Sequence, residues 1–174
     1  MGDIKRPRKK WKGPTNPWLI SSLQGEMQLM GKYGLRNKRE LYLAEAVARK
    51  YRRMEREFFA LPPEDRGANE SLLISRLYGL GYLESPQGTS DSVLSMGVEA
   101  ILNRRFQSLV AQKANISYFT ARQLIVHGHV RIFGRAVRSP GALINRDDEK
   151  GIEIPSVLIE KITGTKEGSD QGKR

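Results

Sequence analysis

The 174-residue chain contains no cysteine and only two histidines, His127 and His129. Without cysteine there is no disulfide framework and no thiolate metal site, which suits a reducing compartment. Two imidazoles make a zinc centre only with carboxylates at ligand spacing, and none can be placed, so no metal and no cofactor is expected. Long apolar runs are missing too: none approaches the ~20 residues that a membrane-crossing helix needs. The N-terminus is basic, but no hydrophobic segment follows it, so no secretory signal is expected. Acids are scarce beside bases, 19 Asp plus Glu against 30 Lys plus Arg, which gives a net charge of +11 and a pI near 10.1. Such an excess calls for a polyanion. Nucleic acid fits better than a membrane surface, because no basic amphipathic helix carries an apolar insertion face.

Chemistry is equally thin. The acidic cluster Asp147, Asp148 and Glu149 sits in a turn beside Arg146 and Lys150 and reads as solvated. The run from Gly168 to Arg174 superficially resembles a phosphate loop, but it is one residue short and follows no strand. No enzyme and no small-molecule substrate is expected.

What the chain does have is order in its punctuation. Residues 1–18 form a basic arm with Lys5, Arg6, Arg8, Lys9, Lys10 and Lys12, and Pro7, Pro14 and Pro17 forbid a continuous helix there. Such an arm is expected to be extended and to order against phosphates. Trp11 is available either to a base or to its own protein; Trp18 is expected to pack on the protein. Residues 19–90 read as a helical domain. A first helix is expected from Pro17, after an Asn16 cap, to about Gly31, with Leu19, Ile20, Leu23, Met27 and Met30 as its apolar side. The longest helix begins at Asn37, with Glu40 making a box-like cap. Its buried stripe is Ala44, Val47, Tyr51, Met54, Phe58 and Leu61, and Arg49, Lys50, Arg52, Arg53 and Arg56 take the other faces. Pro62-Pro63 ends it, 64–69 is expected to be a loop, and a third helix covers about Glu70 to Leu80. Segment 85–90 is a linker.

Residues 91–155 hold the most informative stretch. Val98, Ile101, Leu102, Phe106, Leu109 and Val110 follow a helical period that leaves Arg104, Arg105, Gln107 and Lys113 largely on the opposite side. Next, Ser117 caps a helix with Ala121, Leu124 and Ile125 inward and Arg122, Gln123 and His127 outward. Gly128 stops that helix, since glycine tolerates the left-handed conformation at almost no cost. A strand follows, with Val130 and Ile132 on one side and His129, Arg131 and Phe133 on the other. Arg135 to Arg138 make a second strand after Gly134, closed by Ser139-Pro140; Gly141 to Ile144 can pair briefly. Residues 145–151 are a polar turn and Ile152 to Ile154 a last strand. In residues 156–174, Val157 to Ile162 are expected to fold back onto the N-terminal helices and the end to be disordered. The fold class is therefore α+β: a helical N-terminal part with a small module of two helices packed on a short, twisted, mainly antiparallel sheet.

The pattern from Ala121 to Val130, then Gly134, Val137 and Ser139-Pro140, resembles the RNA-binding domain named after small-subunit ribosomal protein four. That domain also occurs in pseudouridine synthases, tyrosyl-tRNA synthetases and heat-shock proteins. Gly2-Asp3 with the basic run, Pro17-Trp18, Lys32 to Leu41 (Lys-Tyr-Gly-Leu-Arg-Asn-Lys-Arg-Glu-Leu), Asp91 to Leu94 and Ile101 to Arg105 extend the resemblance over nearly the whole chain. They resemble the ribosomal family itself, in its archaeal and eukaryotic form. The resemblance implies a cytoplasmic, structural component of the small ribosomal subunit. It further implies a primary binder of small-subunit rRNA that nucleates assembly of the body and supports decoding accuracy. Its expected neighbours are mRNA where the message enters its channel and ribosomal protein five. Roles carry over to Arg104, Arg105, Arg122, Gln123, His127 and His129 as RNA-facing positions. Arg36, Lys38, Arg39, Arg49, Lys50, Arg52, Arg53, Arg56, Lys113, Arg131, Arg135, Arg138 and the arm join them as candidate RNA contacts on charge. Phe133-Gly134 stands where the family usually has Asn-Gly, which leaves the turn type and the aim of Arg135 open. The cysteine cluster of some bacterial relatives is missing. Two rivals share the domain: a quality-control or heat-shock RNA-binding protein, and a pseudouridine synthase. The second needs a catalytic aspartate in a sizeable sheet, which this chain does not offer.

Overall fold

A computed structural model describes residues 9–155. The expected contacts of Lys5, Arg6 and Arg8 and the fold-back of Val157 to Ile162 lie outside them. The described chain is α+β, mostly helical with one small three-stranded sheet. Helices α1 (Ile20–Lys32), α2 (Lys38–Phe58) and α3 (Pro63–Leu80) are followed by the short α4 (Ser90–Leu94) and α5 (Val98–Asn103). Then come α6 (Phe106–Ala114), α7 (Tyr118–Val126), β1 (Arg131–Ile132), β2 (Arg135–Ala136), α8 (Arg146–Lys150) and β3 (Ile152–Glu153). The sheet order is β2-β1-β3, antiparallel throughout, with Ile132 opposite both Arg135 and Ile152.

Helix α2 is the backbone of the first half. The Asn37 side chain accepts the Glu40 N–H at 3.2 Å, so the expected cap forms. Leu41, Ala44, Ala48 and Tyr51, three and four apart, are buried against Leu73, Leu77, Val93, Ile101 and Leu102 from α3, α4 and α5. That face is rotated from the expected stripe: Val47, Met54 and Phe58 only flank the core, and Leu61 is exposed beyond the helix end. The same side buries Glu55, whose carboxylate oxygens have no hydrogen-bond partner among the described residues.

Two expectations for the helical part are corrected. Helix α1 starts at Ile20, not Pro17, and only part of its expected apolar side meets the core: Met30 packs on it and Leu23 is half-buried, but Leu19, Ile20 and Met27 are exposed and Glu26 is its buried residue. Glu26 accepts from Tyr42 Oη at 3.2 Å and pairs with Lys38 at 2.7 Å, so polar groups that hydropathy does not register join Leu29 and Met30 in docking α1 on α2. Segment 64–69 is helical, not a loop. Pro63 sits at the first helical position, Glu64 and Asp65 favour the N-terminal dipole, and Arg66 pairs with Glu70 at 2.7 Å.

The second core is built by Phe106, Leu109 and Val110 of α6, Ala121, Leu124 and Ile125 of α7, Val130, Ile144 and Ile152. The two cores meet at Gly34. Its φ of +56° suits glycine, and a Cβ there would lie 2.6 Å from Tyr118 Cβ, so only glycine allows α7 this close. Gln107 Nε2 spans the joint, donating to Gly34 O at 3.2 Å and Tyr118 O at 2.9 Å.

Candidate nucleic-acid interface

Helix α7 forms as its sequence dictates. Ser117 accepts the Thr120 N–H at 3.2 Å, and the end closes with Gly128 N–H to Ile125 O and His129 N–H to Leu124 O, Gly128 standing at φ +76°. With Ala121, Leu124 and Ile125 buried, the outward stripe is Phe119, Arg122, Gln123, Val126 and His127. Phe119 and Val126 were not among the expected site residues. Their signal was present: positions 119, 122, 123, 126 and 127 have one helical spacing, opposite 121, 124 and 125. The stripe alternates apolar and polar groups, a surface able to meet both bases and phosphates.

Beyond Gly128 the surface continues. His127 and His129 stand with ring centroids 6.3 Å apart, and the Arg138 guanidinium lies across Gly128, its Nε 3.1 Å from where a Cβ would be. Arg131 and Arg135 are exposed on the hairpin. The β1–β2 turn has Phe133 at φ +47° and Gly134 at φ +75°, two left-handed residues as a type I′ turn requires. The turn is thus type I′ with phenylalanine at its first central position.

Three of the arginines expected outward turn inward. The helical period through residues 98–110 breaks at Arg104-Arg105, between α5 and α6, so the phase is not continuous. The loop after Ser139-Pro140 folds over the break: Phe106 N–H donates to Ala142 O at 2.8 Å, and Leu143 bridges Arg105. Arg104 is buried, donating from Nε and Nη2 to Ile144 O and from Nη1 to Glu149 at 2.7 Å. Arg105, 5% exposed, pairs with Glu40 at 2.9 Å. Arg122 is half-buried and reaches the other oxygen of the same carboxylate at 3.1 Å. Gln107, also expected outward, is buried at the joint, and Lys113 donates to Glu149 O at 2.9 Å. Burial pushes the Glu40 carboxyl up, but the charges and hydrogen bonds of Arg105 and Arg122 outweigh it and hold the group below its ordinary value. The expected cap is thus half a box: Glu40 Oε2 accepts from Arg36 N–H at 3.4 Å, and the carboxylate mainly serves the module.

This carboxylate joins α7 to the basic side of α2. Arg49, Arg52, Arg53 and Arg56 share one helical side, tempered by Glu45 (3.8 Å from Arg49) and Glu57 (2.7 Å from Arg53). Arg36, Arg39 and Lys50 are exposed, with no ion-pair partner among the described residues. Lys50 and Lys10 rim a groove of about 390 Å³ floored by Leu43, Val47, Ile101 and Leu143. In the arm, Trp11 stacks on Tyr42 (5.8 Å, 24°) under the Lys9 ammonium (3.9 Å), so its ring is taken by its own protein. Trp18 departs from expectation. It is 87% exposed.

Among the described residues no group of three His, Asp or Glu could hold a metal ion, and no helix is long and apolar enough to cross a membrane. No family model matches the chain. Curated relatives do. The chain is 46% identical to small ribosomal subunit protein uS4 of Metallosphaera sedula over 155 residues, 88% of this chain and 86% of the relative. It is 44% identical to that of Sulfurisphaera tokodaii over 172 residues, 98% of this chain and 97% of the relative. Against that of Ignicoccus hospitalis the identity is 49% over 151 residues, 86% of this chain and 90% of the relative. At such identity over most of each length, the chain belongs to the small ribosomal subunit protein uS4 family.

Proposed function

We propose that this chain is a structural, non-catalytic component of the small ribosomal subunit that binds rRNA. The observation that carries the reading is the outward face of α7, in which Phe119, Gln123, Val126 and His127 lead into His129, Arg131, Arg135 and Arg138. Arginines and lysines neutralise phosphates, while the helix-glycine-strand relief supplies shape fit to a folded RNA junction. We assign Arg36, Arg39, Arg49, Lys50, Arg52, Arg53 and Arg56 of the helical part (19–90) to the same RNA, alongside the module (91–155). Arg104, Arg105 and Arg122 build the face from behind; Arg122 alone of these retains an exposed edge. Within the family frame we further propose that binding nucleates the subunit body, near ribosomal protein five and the incoming mRNA.

A face of this size makes several phosphate contacts, so affinity for small-subunit rRNA is expected to fall by roughly 10³-fold or more between about 50 and 200 mM salt. Filter binding of the full chain across a salt series reads this directly. A flat response overturns the assignment. Stable co-sedimentation with small subunits, with no enrichment on large subunits under stress, separates this reading from the quality-control rival.

A further inference from the structure

The tip of the β1–β2 hairpin holds a residue that neither the turn nor the core explains. Phe133 occupies the first central position of the turn at φ +47°, where glycine, asparagine and aspartate are favoured and a bulky side chain is strained. Burial does not compensate, because the side chain is 64% exposed. Yet the ring is held in place. It lies across Gly151, where any Cβ would sit 2.6 Å from the ring carbons, and the Phe133 N–H donates to Gly151 O at 3.0 Å. A strained, pinned and solvent-facing aromatic is a feature of binding sites, where strain persists because the surroundings fix it. Two exposed arginines flank it in the hairpin, Arg131 two residues before and Arg135 two residues after, on opposite faces by register because Arg135 is paired with Ile132 and Arg131 with Ala136. An exposed aromatic face on a hairpin that carries phosphate-seeking cations matches a nucleotide whose base is out of its stack.

We propose that Phe133 stacks on one unpaired nucleobase of the bound RNA, with Arg131, two residues before it on the strand, on an adjoining phosphate. This rests on the RNA-binding reading above and adds a base contact to it. The bare glycine at 151 leaves the room the ring occupies at the end of the sheet.

The test uses the full chain and a transcript of small-subunit rRNA, with affinity and chemical probing of base reactivity as readouts. Phe133→Trp is expected to bind as the wild type does and to keep the same unpaired base protected. Phe133→Leu, which retains an apolar side chain but no π face, is expected to lose about fivefold or more in affinity and to expose that base. Phe133→Asn suits the left-handed backbone and so folds, and it is expected to show the same loss. If the wild type binds and the Leu and Asn variants match it in affinity and footprint, the ring is only a cover for Gly151 and the proposal is overturned. If the wild type itself does not bind, the RNA reading fails first and takes this contact with it.

Discussion

Glu40 is the residue on which most side-chain geometry converges. Its carboxyl is held below its ordinary 4.5, so the folded state prefers the ionised form. The sign follows: the stability it contributes is complete above the unfolded value and is lost as pH falls through the lowered folded one. Urea melts from about pH 6 to 3 should show a decline that Glu40→Gln flattens, the variant being less stable at pH 6 and the difference narrowing toward pH 3. Glu40→Ala leaves the buried Arg105 without its carboxylate and should cost on the order of 3 kcal/mol. Glu40 was legible in the sequence only as a helix cap. Its partners lie 65 and 82 residues away, and no local pattern announces a contact of that range. Trp18 was misjudged for a related reason: apolarity suggests burial, but only tertiary context supplies a surface to be buried on. Iodide should quench Trp18 freely while Trp11, stacked on Tyr42, is shielded, as a Trp11→Phe variant measured against the wild type will read.

At the scale of elements, α7 with its stop and following strand was read closely from sequence, because each device acts within a few residues. Ser117, Gly128 and the inward trio 121, 124 and 125 carry it alone. The α5–α6 segment misled because apolar spacing remains helical across a break that the covering loop, some 40 residues on, imposes. The start of α3 was missed although Pro63, Glu64 and Asp65 signalled it; the prolines were read as an end only. Ser117→Ala should lower stability by about 1 kcal/mol in a thermal melt. Gly128→Ala, which forces a Cβ into a left-handed position against Arg138, should cost about 1–2 kcal/mol. It should also weaken rRNA binding by displacing His127 and His129.

At the scale of the whole molecule, the excess of 30 bases over 19 acids announced a polyanion partner before any element was placed. The class of architecture followed from the order of helical and strand patterns. What composition could not supply was which cations face outward. Arg104 and Arg105 show that a basic residue in a binding module can be architectural, holding the loop that shapes the surface.

The Gly34 joint has a mechanical corollary. With Tyr118 in contact distance, Gln107 bridging both backbones, and one carboxylate gripping two guanidinium groups across the seam, neither half can tilt without breaking the other's contacts. The two halves are therefore one rigid bracket, and any ligand that spans the seam meets surfaces held at a fixed angle.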